Sequence, residues 1–322
     1  MFTNSLNLLF MNTMMIGVMV SLCSNSWLMI WAGLEISLMS FIPLINENKI
    51  LSSQSSMKYF IIQSMSSSIL IMALSVSTMK ESMWSMISIS LMLKMGVAPL
   101  HNWVISVIEG MNEINMLILL TMLKLPPLMM LSYNNSMNML FSMTSLVWGS
   151  MSGLSQFSIK KMLAYSSIFN MGFIIQSTKF TSMWMSFMIV YSMTITFFML
   201  TMKKLSIKFI NQASWIEENK LNKMNMWIIT LSMMGLPPLI GFLPKLSIME
   251  LMMKEKQLLM LVIMISTSML VSFFYMRMSY SSFMSHSLTT KWNMKTKSKT
   301  NSIWSTISML TLPLIMSTKC FK

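Results

Sequence analysis

Apolar runs about as long as a bilayer is thick follow one another almost from end to end of this chain. An α-helix needs about 20 mostly apolar residues to cross a membrane. Eleven segments approach or meet that length: residues 7–23, 26–45, 57–79, 83–100, 113–133, 137–157, 162–178, 182–202, 224–248, 257–279 and 302–318. The runs are continuous and lack the alternation of lipid-facing and lumen-facing residues that a barrel strand requires. Only 10% of the 322 residues are charged, against about 25% in soluble domains, so the chain cannot clothe itself for water. These features predict an all-α polytopic membrane protein of about 11 transmembrane helices. No soluble domain or internal repeat interrupts residues 1–322, which read as a single transmembrane domain.

A net charge of +14 raises the question of nucleic acid, but the basic residues sit in short loops between apolar runs. That distribution encodes topology. With the N-terminus inside, one set of loops holds Lys49, Lys58, Lys160, Lys161, Lys203, Lys204, Lys208, Lys220, Lys223, Lys291, Lys295, Lys297 and Lys299, with Arg277 at the inner end of its span. The opposite side holds only Lys80, Lys179, Lys254, Lys256, Lys319 and Lys322. The N-terminus is therefore expected to face the negative compartment. Cys23 and Cys320 lie at opposite ends of the chain and cannot form a metal or cluster motif.

The residue usage carries its own message. There are 48 methionines, a single arginine and no aspartate, with Ser, Asn, Lys and Ile abundant. Such usage fits an AT-rich genome with an additional methionine codon, as in animal mitochondria. The start "MFTNSLNLLF" shows neither a basic n-region nor an Arg-rich amphipathic transit segment. A chain made inside the organelle needs neither, and the negative compartment is then the matrix.

Four charges remain inside apolar runs: Glu35, Lys94, Lys124 and Lys245. The first three fall near the middle of their segments, beyond the reach of a snorkelling stem. A charge at that depth costs about 2.5–3.5 kcal/mol on insertion scales and marks an ion or proton path by default. A lysine taken out of water favours its neutral amine, and a nearby carboxylate favours the ammonium. Moving the carboxylate therefore switches the proton on or off without a cofactor. Glu35 is the candidate partner for Lys94.

Helix breakers accompany the lysines. In "LMLKMGVAPLHNW", Gly96 and Pro99 follow Lys94, and in "GLPPLIGFLPK", Pro237 and Pro238 precede Lys245. Pro126 and Pro127 follow Lys124 directly. Interrupted helices free backbone groups that are tolerated at membrane depth only where they are buried in protein or line a cavity, and they mark transport sites in many carriers. His101, just past the first break, is able to pass a proton near neutrality, although an interfacial hydrogen-bonding role beside Trp103 fits it equally. His286, Glu217 and Glu218 fall in polar loops; Glu109 and Glu113 lie at the inner end of the fourth segment, where solvation is the simpler reading.

Taken in order, "WAGLEISLMSFIPLI", Lys94 with "GVAPLHNW", "AYSSIFNMGF" and "GLPPLIGFLPK" resemble the antiporter-like membrane-arm subunits of respiratory complex I, NADH:ubiquinone oxidoreductase, most closely in their insect form. The likeness runs through essentially the whole chain. It implies an antiporter-like bundle with two broken helices, of the kind that has fourteen helices in bacteria and lacks the first three in animals. It also implies that Glu35 pairs with the channel lysine Lys94, that Lys124 lies on the central axis, and that Lys245 belongs to the second break. One departure stands out. Relatives usually place Pro and an acid soon after His-x-Trp, where this chain has Ile105 and Ser106, and Asn102 occupies a position commonly aromatic.

The expected function is proton translocation across the mitochondrial inner membrane, driven by NADH oxidation by ubiquinone elsewhere in the complex, through a Glu35, Lys94, Lys124 and Lys245 relay. No Gly-rich phosphate loop or cysteine cluster is present, so this chain is expected to bind no cofactor or metal of its own. Its expected partners are other complex I membrane-arm subunits, phospholipids and protons. Two rivals use the same residues: a free-standing cation/proton antiporter, and a non-conducting scaffold subunit whose buried charges fix helix register.

Overall fold

The protein was analysed as a computed structural model, which describes residues 5–47, 49–77, 84–134, 137–212, 220–237 and 239–284. The apolar segment 302–318, Pro238, Glu217, Glu218, His286, Cys320 and the lysines at 80, 291, 295, 297, 299, 319 and 322 lie outside the described residues.

Apolar runs become helices because a chain out of water must satisfy its backbone internally. In order these are α1 Ser5–Cys23, α2 Trp27–Ile45, α3 Ile50–Ser77, α4 Trp84–Met95, α5 Asn102–Gly110, α6 Glu113–Leu120, α7 Leu125–Tyr133, α8 Asn138–Leu154, α9 Ile159–Gln176, α10 Thr181–Leu205, α11 Lys220–Met234, α12 Phe242–Lys254 and α13 Leu258–Met284. Among the described residues there is no β-strand, only an isolated bridge between Ser158 and Phe209. Among the described residues six helical stretches, Ser5–Cys23, Trp27–Ile45, Ile50–Val76, Glu113–Tyr133, Thr181–Leu205 and Leu258–Tyr280, are long and apolar enough to cross a membrane.

Serine is abundant in these helices and is accommodated locally. Its hydroxyl donates back to the preceding turn, as from Ser21 to the Val18 carbonyl at 2.6 Å, Ser37 to Leu34 at 2.8 Å and Ser66 to Gln63 at 2.6 Å. Each bond hides a polar group that would otherwise be stranded in lipid or core.

Residues 1–149 with 167–184 form one compact unit, and residues 150–166 with those from 185 onward form a second. In the first, α1 and α2 pack backbone against backbone. A Cβ on Gly33 would lie 2.7 Å from the Ser21 nitrogen and 2.8 Å from the Gly17 carbonyl, and one on Gly17 would lie 2.7 Å from the Ser37 nitrogen. Small residues four apart on each helix, Gly17 with Ser21 and Gly33 with Ser37, let membrane helices approach this closely. Helix α3 then packs on α2, α4 and α5, and α4 on α7. In the second unit α11 and α12 pack against α13. Arg277 of α13 donates to the carbonyls of Leu154 at 3.1 Å and Gln156 at 2.6 Å, closing the C-terminal end of α8, and stacks over the Phe157 ring at 5.3 Å.

Candidate functional site

Each of the three buried lysines stands at an interruption of a helix, two made at a left-handed glycine and one at a pair of prolines. Helix α4 ends at Met95, directly after Lys94. Gly96 takes φ +70°, and the amides of Gly96 and Val97 turn back to the carbonyls of Leu93 at 3.2 Å and Met92 at 3.1 Å. That pairing closes a helix with a left-handed residue, where glycine has no Cβ to clash. Pro99, exposed, has no N–H to continue the ladder. The carbonyls freed by the break find side-chain donors. Leu93 also accepts from the Trp103 indole at 3.1 Å, Lys94 from the Gln63 amide at 3.1 Å, and Ala98 from the Thr144 hydroxyl at 2.8 Å.

The second interruption divides the stretch Glu113–Tyr133. Thr121 leaves helical geometry at φ −116° and ψ −76°, a short 3-10 turn runs Met122–Lys124, and α7 begins with Pro126 and Pro127 in its first turn. Those prolines supply no N–H to Met122 and Leu123, so the regular ladder cannot pass through Lys124. The third follows α11. Gly235 takes φ +79°, its amide bonds Ser232 at 3.2 Å, and α12 restarts at Phe242. Pro237 lies in the intervening turn. Lys245 reaches back from α12 and donates to the Met234 carbonyl at 2.9 Å, at the end of the helix just broken. A cation at a helix C-terminus is favoured by the exposed carbonyl dipoles there.

All three lysines are buried: Lys94 is 8% exposed, Lys124 3% and Lys245 5%. Within the first unit Lys94 and Lys124 line one small cavity, with about 30 Å³ open to the centres of water-sized molecules. Tyr59, Gln63, Ser37 and Trp103 supply its other polar wall groups. Such a space holds about one or two waters, and its polar walls give them partners. Glu35, on α2, stands beside it with Oε1 3.9 Å from Lys94 Nζ. That separation is an ion pair and not a direct hydrogen bond, which for these groups spans about 2.7–2.9 Å. The carboxylate oxygen is buried without a hydrogen-bond partner among the described residues. Glu35 is thus held near the lysine but loosely, an arrangement that a small shift can strengthen or release.

The structure therefore brings together three of the five residues singled out for a relay: Glu35, Lys94 and Lys124. Lys245 lies in the second unit at its own break. His101, buried at the start of α5, does not line the cavity; its ring lies 6.5 Å from that of Trp148. Gln63, Tyr59 and Ser37 were not singled out by sequence. Each is an uncharged polar residue in a helix rich in others like it, and no periodicity distinguishes the ones facing the lysines. Among the described residues no three His, Cys, Asp or Glu side chains group as a metal site.

Comparison with known proteins accords with this geometry. The family model for the NADH:quinone oxidoreductase/Mrp antiporter transmembrane region matches residues 24–83 and 74–272. NADH-ubiquinone oxidoreductase chain 2 of Anopheles gambiae is 36% identical over 319 residues, covering 94% of this chain and 93% of that protein. The same-named protein of Locusta migratoria is 36% identical over 297 residues, with 87% and 86% covered. Among solved structures, respiratory complex I from Thermus thermophilus contains a chain of the same fold, with a TM-score of 0.82 at 16% identity over 97% of this chain and 77% of that one. An Mrp complex from Dietzia gives a TM-score of 0.70 at 13% identity, covering 85% of this chain and 60% of its counterpart. With whole-length relatives of one name, an antiporter-type family match and buried lysines at broken helices, the chain belongs to the NADH-ubiquinone oxidoreductase chain 2 family.

Proposed function

We propose that this chain is a proton-translocating subunit of the membrane arm of respiratory complex I, in the mitochondrial inner membrane with its N-terminus in the matrix. Residues 1–322 act as one antiporter-like domain with no redox cofactor of its own. NADH oxidation by ubiquinone elsewhere in the complex supplies the energy. The observation that carries this reading is the cavity shared by Lys94 and Lys124, with Glu35 3.9 Å from the Lys94 amine. Bringing the carboxylate closer holds a proton on Lys94; withdrawing it releases the proton toward Lys124 through water and the polar wall. Lys245, at the break that follows α11, continues the path, and protons, phospholipids and neighbouring membrane-arm subunits are the partners.

Lys124→Met tests the relay. It keeps the side-chain volume and removes the titrating group, so the complex should assemble and oxidise NADH while moving fewer protons per NADH. Full pumping in that variant would remove Lys124 from the path. The shared fold with the Mrp complex gives a second reading, an antiporter acting alone. A native gel of mildly solubilised membranes separates the two. Migration with the NADH-oxidising band places the chain in complex I, and a small separate band favours the antiporter.

A further inference from the structure

We infer that Gln63 is a positioning residue for the Lys94 proton site, holding the end of α4 so that the lysine enters the cavity; the inference rests on the proton-translocation reading above. Gln63 lies in the middle of α3 and is 5% exposed. Its amide nitrogen donates at 3.1 Å to the backbone carbonyl of Lys94 itself, 31 residues away. The same side chain forms part of the cavity wall, together with Tyr59 one turn earlier on α3. Carbonyls at a helix C-terminus have no donor within the helix and carry its negative end. At this break the two carbonyls nearest the lysine, those of Leu93 and Lys94, are taken by Trp103 and Gln63.

Two consequences follow from that bond. The α4 terminus is tied to α3 at the residue whose amine does the work, so the direction of the Lys94 side chain depends on Gln63. The carbonyl is also engaged by a donor and is less available to the ammonium of its own residue, leaving that ammonium to Glu35 and the cavity. An amide stays un-ionised near neutrality, so Gln63 directs the path without carrying charge along it.

The titratable groups around this point are Glu35 of α2, Tyr59 of α3, and Lys94 and Lys124 in the cavity wall. Glu109, on α5, is exposed. Gln63→Leu fills the same space without the donor, and Gln63→Glu is isosteric but donates only when protonated. The test measures protons pumped per NADH oxidised in the assembled complex from about pH 6 to about pH 9, a span within which an added buried carboxyl would titrate. Gln63→Leu should lower pumping about tenfold at every pH, with assembly retained, as expected when a buried acceptor loses its donor. Gln63→Glu should pump almost as wild type at the acid end and fall toward the Leu variant at the alkaline end. Equal pumping by both variants and wild type would overturn the inference, as would equal, pH-independent losses in both. Lys124→Met is measured alongside. If it too pumps fully, the translocation reading itself fails; if it alone is impaired, only the role of Gln63 does.

Discussion

Replacing Gly96 with alanine adds one methyl group at the backbone hinge of the Lys94 site, and the structure sets its cost. Gly96 holds φ +70°, where an L-residue loses roughly 1–2 kcal/mol relative to right-handed backbone. The new Cβ would also run into the Val104 methyl Cγ2 and stand 3.2 Å from Trp103 Cζ2. Overpacking of that kind costs about 1–3 kcal/mol, giving about 2–5 kcal/mol in all. For a chain of this size that corresponds to a fall of roughly 5–20 °C in the unfolding midpoint of the purified complex. Gly153→Ala serves as the control. It lies within α8 at an ordinary helical angle, and its Cβ would meet Phe274 Cε1 at 3.1 Å. Alanine gains about 0.5–1 kcal/mol inside a helix, so this variant should melt close to wild type. Combining Gly96→Ala with Val104→Ala removes the steric part and leaves the backbone part, so a double-mutant cycle should give a favourable coupling of at least about 1 kcal/mol. A Gly96→Ala midpoint no lower than that of Gly153→Ala would refute the account of the break. A coupling of zero would refute its steric half.

Other perturbations have equally definite outcomes. Glu35→Gln leaves Lys94 without its only acidic neighbour within 4 Å among the described residues. Loss of one partner from a fully buried pair costs about 3–5 kcal/mol, and the 21% exposure of the Glu35 side chain reduces this. Pumping per NADH should fall while the complex still assembles; unchanged pumping would argue that the pair plays no part in transport. Gly33→Leu places a side chain into the Ser21 and Gly17 backbone of α1. It should separate α1 from α2, costing at least about 1–3 kcal/mol, and reduce the amount of assembled complex on a native gel. Arg277→Lys cannot reach the Leu154 and Gln156 carbonyls with one planar fork. It should destabilise the second unit by about 1–3 kcal/mol, read as faster proteolysis between residues 155 and 158, whereas wild-type resistance would show that the fork is dispensable.

The membrane class and the breaks were available from residue types and spacing, whereas Glu35 stood out only as the carboxylate inside an apolar run and its pairing with Lys94 was implied by the family resemblance. A charge at mid-depth and a glycine or proline beside it are conspicuous against an apolar run, and the structure puts all three lysines at interruptions. The helical boundaries were less accessible. Residues 57–77 of the segment 57–79 prove to be the later part of α3, which starts at Ile50, because Ser52, Ser53, Ser55 and Ser56 return their hydroxyls to backbone carbonyls and continue the helix through a polar stretch. Breaks also divide apolar runs into pieces. The run 83–100 holds the 12 residues of α4, and the run 224–248 is split between α11 and α12, so neither contains an unbroken helix of spanning length. Gln63 is not legible in the sequence for a different reason. What distinguishes it is the orphan carbonyl it meets, a property of another helix that no local pattern records.

The close crossing of α1 on α2 bears on how the ion pair can respond to a distant event. Glu35 sits between Gly33 and Ser37, two residues of α2 whose backbone closely approaches α1. Side chains can rotate, but two main chains in contact have no slack, and interfaces of this kind move as one body or not at all. The acidic partner is thus mounted on a two-helix post. Any change in its separation from Lys94 during turnover falls to the two side chains, to α1 and α2 moving together, or to the cut end of α4, whose glycine hinge and side-chain tethers set how far it yields.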